Sequence, residues 1–149
     1  MRTKNTTTDK FKNTEGLLYS YNSLKVKIKN LKLDLENIEF EDLQAIQYDQ
    51  DKLCDTNAFN SSVENNVISK EKQIQIINKK IRYYQNTIAK IDNALENLSD
   101  SEQKLVEMRY LRSEPCPWMQ IAREMQLEVT NCYKRRNNII KKISDMLFP

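Results

Sequence analysis

Histidine is absent from the 149 residues, glycine occurs once, at Gly16, and proline three times. Without imidazole there is no histidine base, no Ser-His-Asp or Cys-His pair, and no zinc site of the kinds that use histidine. A single glycine cannot build a phosphate-cradling loop or a dinucleotide fingerprint, because those need several positions where no Cβ fits. The three cysteines, Cys54, Cys116 and Cys132, form no CxxC, and their odd number suits a reducing compartment better than a disulfide framework. No enzyme is expected, and no catalytic residue, metal or cofactor. Mean hydropathy is −0.75, and no apolar run approaches the ~18 residues of a membrane span. Met1–Asn13 lacks the apolar core of a secretion signal. A cytoplasmic protein that meets no membrane is expected.

Charge is abundant and unevenly placed. The net charge is only +3, yet residues 34–55 carry Asp34, Glu36, Glu39, Glu41, Asp42, Asp49, Asp51 and Asp55 against Lys52 alone. Residues 129–142 carry Lys134, Arg135, Arg136, Lys141 and Lys142 and no acid. The basic start, residues 1–13, reads as a flexible tail.

Apolar residues at Leu17, Tyr21, Leu24, Ile28, Leu31, Leu35 and Ile38 alternate steps of four and three, the seam of a heptad helix. A second series runs Ile74, Ile77, Ile81, Tyr84, Ile88, Ile91, Leu95 and Leu98, and extends back through Val67 and Val63 with Lys70 as an interruption. Between them, residues 51–62 lose the period and gather Asp, Asn and Ser, which favour turns. Helices over about 15–50 and 63–97 are each about 50–55 Å long at 1.5 Å per residue. Equal lengths and a reversing connection predict an antiparallel hairpin over 14–98, a coiled-coil arm with an acidic tip. A parallel dimer or a four-helix assembly of two hairpins is the alternative, and a homodimer through the hairpin stays open. The arm reads as a spacer or protein-docking element, and its acidic tip as a solvated helix end.

Ser99-Asp100-Ser101-Glu102 is a capping box that opens a new helix running to about Leu111. Pro115 and Pro117 end it, and Trp118 to about Met125 forms the next helix. Only Gln126, Leu127 and Glu128 separate that helix from a final basic one, Val129 to about Leu147, with Cys132, Ile139, Ile140, Ile143 and Leu147 on its apolar face. The fold class is therefore all-α, with residues 99–149 forming a helix-turn-helix domain behind the hairpin. Ala122 lets its two helices approach, Leu127 plugs the turn, and Cys132 serves as a small buried hydrophobe.

Leu98-Ser99, Glu102, Arg109-Tyr110, the turn motif Ile121-Ala122-Arg123-Glu124-Met125 and the basic run Cys132-Tyr133-Lys134-Arg135-Arg136 resemble region four of sigma-70-type factors. With the helical arm ahead of it, the whole resembles phage and prophage late-gene transcription activators of the ArpU/RinA kind. The turn glycine usual in that pattern is here Gln126, which must reach a conformation glycine adopts more cheaply. The usual Ser or Thr that opens the recognition helix is Glu128. The resemblance implies binding to double-stranded DNA in a bacterial cytoplasm, with RNA polymerase as a second partner. On the last helix, Thr130, Asn131 and Lys134 are the candidates for base edges, since Asn pairs bidentately with adenine and Lys donates to guanine. Asn137 also faces outward, and Tyr133 is placed either to pack or to contact DNA. Arg135, Arg136, Lys141 and Lys142 are assigned to phosphates or to the flanks of the groove, with Arg123 as an accessory candidate. The expected function is a sequence-specific transcription regulator. The alternatives are a coiled-coil adaptor or structural protein and a phage DNA-packaging recognition subunit.

Overall fold

The computed structural model describes the backbone of residues 3–50 and 60–149 and the side chains of residues 7–47 and 68–149. Five α-helices, and no strand, are found among the described residues: α1 (Thr3–Gln50), α2 (Asn60–Glu96), α3 (Asp100–Val106), α4 (Trp118–Met125) and α5 (Val129–Leu147). A π-helical turn, Glu107–Leu111, follows α3 directly. The connection expected at 51–62 lies outside the described residues as far as 59, as do Cys54 and the side chains of Val63 and Val67.

Two compact units are present, one of residues 1–25 and 86–149 and the other of residues 26–85. In the second, the heptad positions of α1 and α2 are the covered ones. Ile28 and Ile81 are buried, and Leu31, Leu35, Ile38, Ile74, Ile77 and Tyr84 are half-buried. Lys27 Nζ lies 5.7 Å from the Tyr84 ring centre, and Lys70 forms an ion pair with Asp42. The contacts run up α1 as they run down α2. Lys70, which interrupts the apolar seam of α2, thus meets the acid that follows Leu35 and Ile38 in the seam of α1, so the two polar intrusions satisfy each other.

The first unit holds the main core: Leu18 from α1, Ile91, Ala94 and Leu98 at and beyond the end of α2, Leu105 and Val106 from α3, Ile121 and Ala122 from α4, and Cys132, Ile139, Ile140 and Ile143 from α5. Each fully buried isoleucine among these contributes about 1.5–3 kcal/mol through apolar burial. The start of α1 belongs to this unit, contrary to the flexible tail expected at 1–13. The chain is helical from Thr3, and contacts from Lys10 onward hold this helix to the core. Phe11 packs against the core, Thr14 is fully buried with its hydroxyl donating to the Lys10 carbonyl at 2.8 Å, and Lys10 Nζ donates to the Phe148 carbonyl at 3.0 Å.

The capping box forms as expected. The Ser99 hydroxyl accepts from the Glu102 amide at 3.3 Å, and the Glu102 carboxylate accepts from the Ser99 amide at 3.0 Å. Gln103 Nε2 reaches back to the carbonyls of Leu95 at 2.8 Å and Leu98 at 3.3 Å, tying α3 to the end of α2. The helix expected to continue regularly to Leu111 instead widens. The Arg112 amide donates to the Glu107 carbonyl at 3.1 Å, five residues back. The proline-bearing loop then folds onto this wide turn, with the Cys116 amide donating to the Met108 carbonyl at 2.9 Å.

Candidate nucleic-acid interface

The turn between α4 and α5 is closed by its own backbone. Gln126 sits at φ 55°, ψ 44°, the left-handed region, and the Leu127 amide donates to the Ala122 carbonyl at 2.9 Å, five residues back, a Schellman closure. Leu127 packs against the core beside it. This is the place where glycine is cheapest, and glutamine bears the Cβ cost of about 1 kcal/mol. Gln126→Gly is therefore expected to stabilise the protein by about 0.5–1 kcal/mol in urea titration; a loss of stability would show that the turn is held by the glutamine side chain. At the start of α5, Glu128 stands as N-cap without a side-chain cap bond.

Trp118, the first residue of α4, is the anchor between α4 and α5. Its ring centre lies 4.8 Å from that of Tyr133, and the guanidinium carbons of Arg109 and Arg136 lie 4.9 and 5.5 Å from it. Arg109 also donates to the Cys116 carbonyl at 3.0 Å, tying the loop before α4 to the π turn. Arg109 and Tyr110, the pair that carried part of the resemblance, thus both hold structure. The Tyr110 hydroxyl donates to Glu15 Oε1 at 2.6 Å, and Arg136 Nη1 donates to the same oxygen at 3.0 Å. Burial, reinforced by the hydrogen bond and charge of Glu15, pushes the Tyr110 phenol well above its ordinary value. Burial likewise raises the Cys132 thiol, so it behaves as an inert apolar group.

The nine sequence candidates on α5 separate by environment. Thr130, Asn131, Lys134, Arg135, Asn137 and Lys141 are exposed, and among the described residues no ion pair holds Lys134, Arg135 or Lys141. Lys142 is exposed but paired with Glu102 at 2.5 Å. Tyr133 leans on Trp118. Arg136 corrects the phosphate assignment: its side chain is 23% exposed and bound to Glu15, because it stands four residues after Cys132 and four before Ile140, both buried.

One residue of this face was missed. Asn138, also exposed, stands seven residues after Asn131, four after Lys134 and three before Lys141, which places it near the centre of the outward stripe. The helix period alone identifies it. An open groove of about 580 Å³ runs along one flank of this stripe, lined by Ser99, Glu102, Arg135, Asn138, Lys141 and Lys142 among others. The surface so formed offers amide groups that donate and accept, flanked by the cations of Arg135 and Lys141 and, at its far end, by the acid Asp145, a chemistry suited to base edges and phosphates along its first turns.

Lys142 and the Ser99 amide hold the Glu102 carboxyl below the usual carboxylate range. Because the folded value is the lower one, this bond supports folding above the ordinary carboxylate pKa and is lost as pH falls through the lowered one. Wild-type stability is therefore expected to drop below about pH 4, by less than about 1 kcal/mol for this surface pair. Glu102→Gln is expected to remove that part of the pH dependence in urea titrations at pH 7 and pH 3, whereas identical pH profiles would show that the pair carries none of it.

Among the described residues no helix is long and apolar enough to cross a membrane. No curated protein and no solved structure matches the chain. Residues 9–145 match the family described as protein of unknown function DUF722, and the chain belongs to that family.

Proposed function

We propose that this protein is a sequence-specific DNA-binding transcription regulator, in which α4 and α5 act as a helix-turn-helix carried by an antiparallel helical hairpin. The observation that carries the reading is the outward stripe of α5, where Asn131, Lys134, Asn138 and Lys141 stand exposed on a helix whose opposite face is locked into the core. Such a helix presents amide and ammonium groups to the major groove while its neighbours fix its angle. At 19 residues it is about 28 Å long, so its first turns read bases while Lys141, farther along, meets the phosphate backbone. Arg135 flanks the same groove.

The resemblance to region four of sigma factors and to ArpU/RinA-type activators extends the proposal. The regulator acts in a bacterial cytoplasm on phage or prophage late genes, touches RNA polymerase as well as DNA, and needs no catalytic chemistry. Enrichment of genomic fragments by the full chain, followed by footprinting, tests the reading. Recovery of discrete sites with a protected major groove is expected. Uniform recovery of all fragments, or of none, would contradict it.

A further inference from the structure

In the unit of residues 26–85, α1 carries a second apolar line that the contacts with α2 do not use. Val26 and Leu33 are each 54% exposed and Phe40 60% exposed. They stand seven residues apart, so they stay aligned over two heptads with only a slow drift. The seam toward α2 runs through Ile28, Leu31, Leu35 and Ile38, on the other side of the helix. Leu43 and Ile46 are also exposed, but helix spacing turns them away from this line, Ile46 standing five full turns after Ile28 of the seam.

Charge along the same stretch divides at Leu33. Before it stand Lys25, Lys27, Lys29 and Lys32 with no acid; after it stand Asp34, Glu36, Glu39, Glu41 and Asp42 with no base. Lys27 and Asp42 are engaged with α2, while Lys29, Lys32, Asp34, Glu36 and Glu41 are exposed. A helix of this kind repels a parallel copy of itself, since like charges would lie side by side, and attracts an antiparallel one, in which the basic half of each copy lies along the acidic half of the other. The heptad spacing of the apolar line sets the partner as a helix, and the charge division sets it as this same helix reversed.

We propose that the protein forms a homodimer in which α1 of one copy packs antiparallel against α1 of a second copy, about a two-fold axis near Leu33, with Val26 of each copy toward Phe40 of the other. The contact is isologous and closes on itself, so it yields a dimer and not a filament. It is independent of the DNA-binding reading and stands if that reading fails.

Light scattering on the full chain tests it. The expected mass is twice the 17.7 kDa of one chain, and Leu33→Glu with Phe40→Glu is expected to reduce it to one chain with circular dichroism unchanged, since neither residue belongs to the seam with α2. Orientation is tested by cysteine pairs in a Cys54→Ser background. Leu33→Cys is expected to cross-link to itself, and Val26→Cys and Phe40→Cys to cross-link only when mixed. A single-chain mass for the wild type, a dimer that survives the double substitution, or Val26→Cys linking to itself would each overturn the proposal.

Discussion

Glu15→Ala is expected to destabilise the protein by about 2–3 kcal/mol, a large loss for a glutamate on a helix of low hydrophobicity. Glu15 Oε1 accepts from both the Tyr110 hydroxyl and Arg136 Nη1, and the side chains of Arg136 and Glu15 are only 23% and 21% exposed. Removing the carboxylate leaves a phenol and a guanidinium without their partner in a partly dry site, where Arg136 Nε is already without a hydrogen bond. Each group then bears its desolvation cost uncompensated. Glu15→Gln keeps an acceptor for Tyr110 but removes the charge, and about half the loss is expected. Arg136→Met in the Glu15→Ala background removes the stranded cation and is expected to recover part of the stability, which makes the two effects non-additive. Urea denaturation of Glu15→Ala, Glu15→Gln, Arg136→Met and the double variant checks this. A Glu15→Ala change within about 0.5 kcal/mol of wild type would show that the α1 contact is peripheral, the ordinary result for a surface charge.

The second expected result concerns affinity and not stability. Lys134→Ala with Asn138→Ala is expected to weaken binding to a footprinted site by about 100-fold or more, with the urea midpoint unchanged because both side chains are exposed. The single variants divide the effect by chemistry. Asn138→Ala is expected to relax discrimination at one base pair, at a cost of about 1–3 kcal/mol for that base. Lys141→Ala is expected to weaken all duplexes alike and to lower the salt dependence of binding by about one ion. Arg136→Met supplies the contrast: it alters stability, and at temperatures where the variant stays folded its affinity is expected to match wild type. Equal losses of affinity for Arg136→Met and Lys134→Ala would mean that the face of α5 has been assigned wrongly.

The heptads were legible because burial in the seam repeats the sequence period: Leu24, Ile28, Ile81 and Ile91 are buried, and the lysine that broke the pattern, Lys70, found Asp42. The bounds of α4 and α5 were legible through Pro117, Trp118 and the cluster Gln126-Leu127-Glu128, where capping and turn chemistry act locally. The role of the chain's start was not legible. Phe11 is the only large apolar residue between Met1 and Leu17, so no period forms, and Arg136, whose guanidinium lies 5.9 Å from its ring centre, is more than a hundred residues away. The widened turn at Glu107–Leu111 leaves no mark either, since one extra residue within a turn disturbs a pattern without creating another. Arg136 reads as a phosphate ligand by its charge, whereas its spacing of four from both Cys132 and Ile140 sets it on the inward face, where it meets Glu15. Asn138 and its neighbour Asn137 are alike in chemistry, and only the helix period separates them: Asn138 stands seven residues after Asn131, on the same stripe.

The central claim, that the outward stripe of α5 lies against DNA, is tested most directly by placing a photo-activatable cross-linking residue at position 138 and, separately, at position 16, where Gly16 is exposed with no atom near its Cβ position. With a footprinted duplex, cross-links are predicted from position 138 and none from position 16. Cross-links from position 16 alone, or from neither position while the full chain still binds the duplex, would contradict the account.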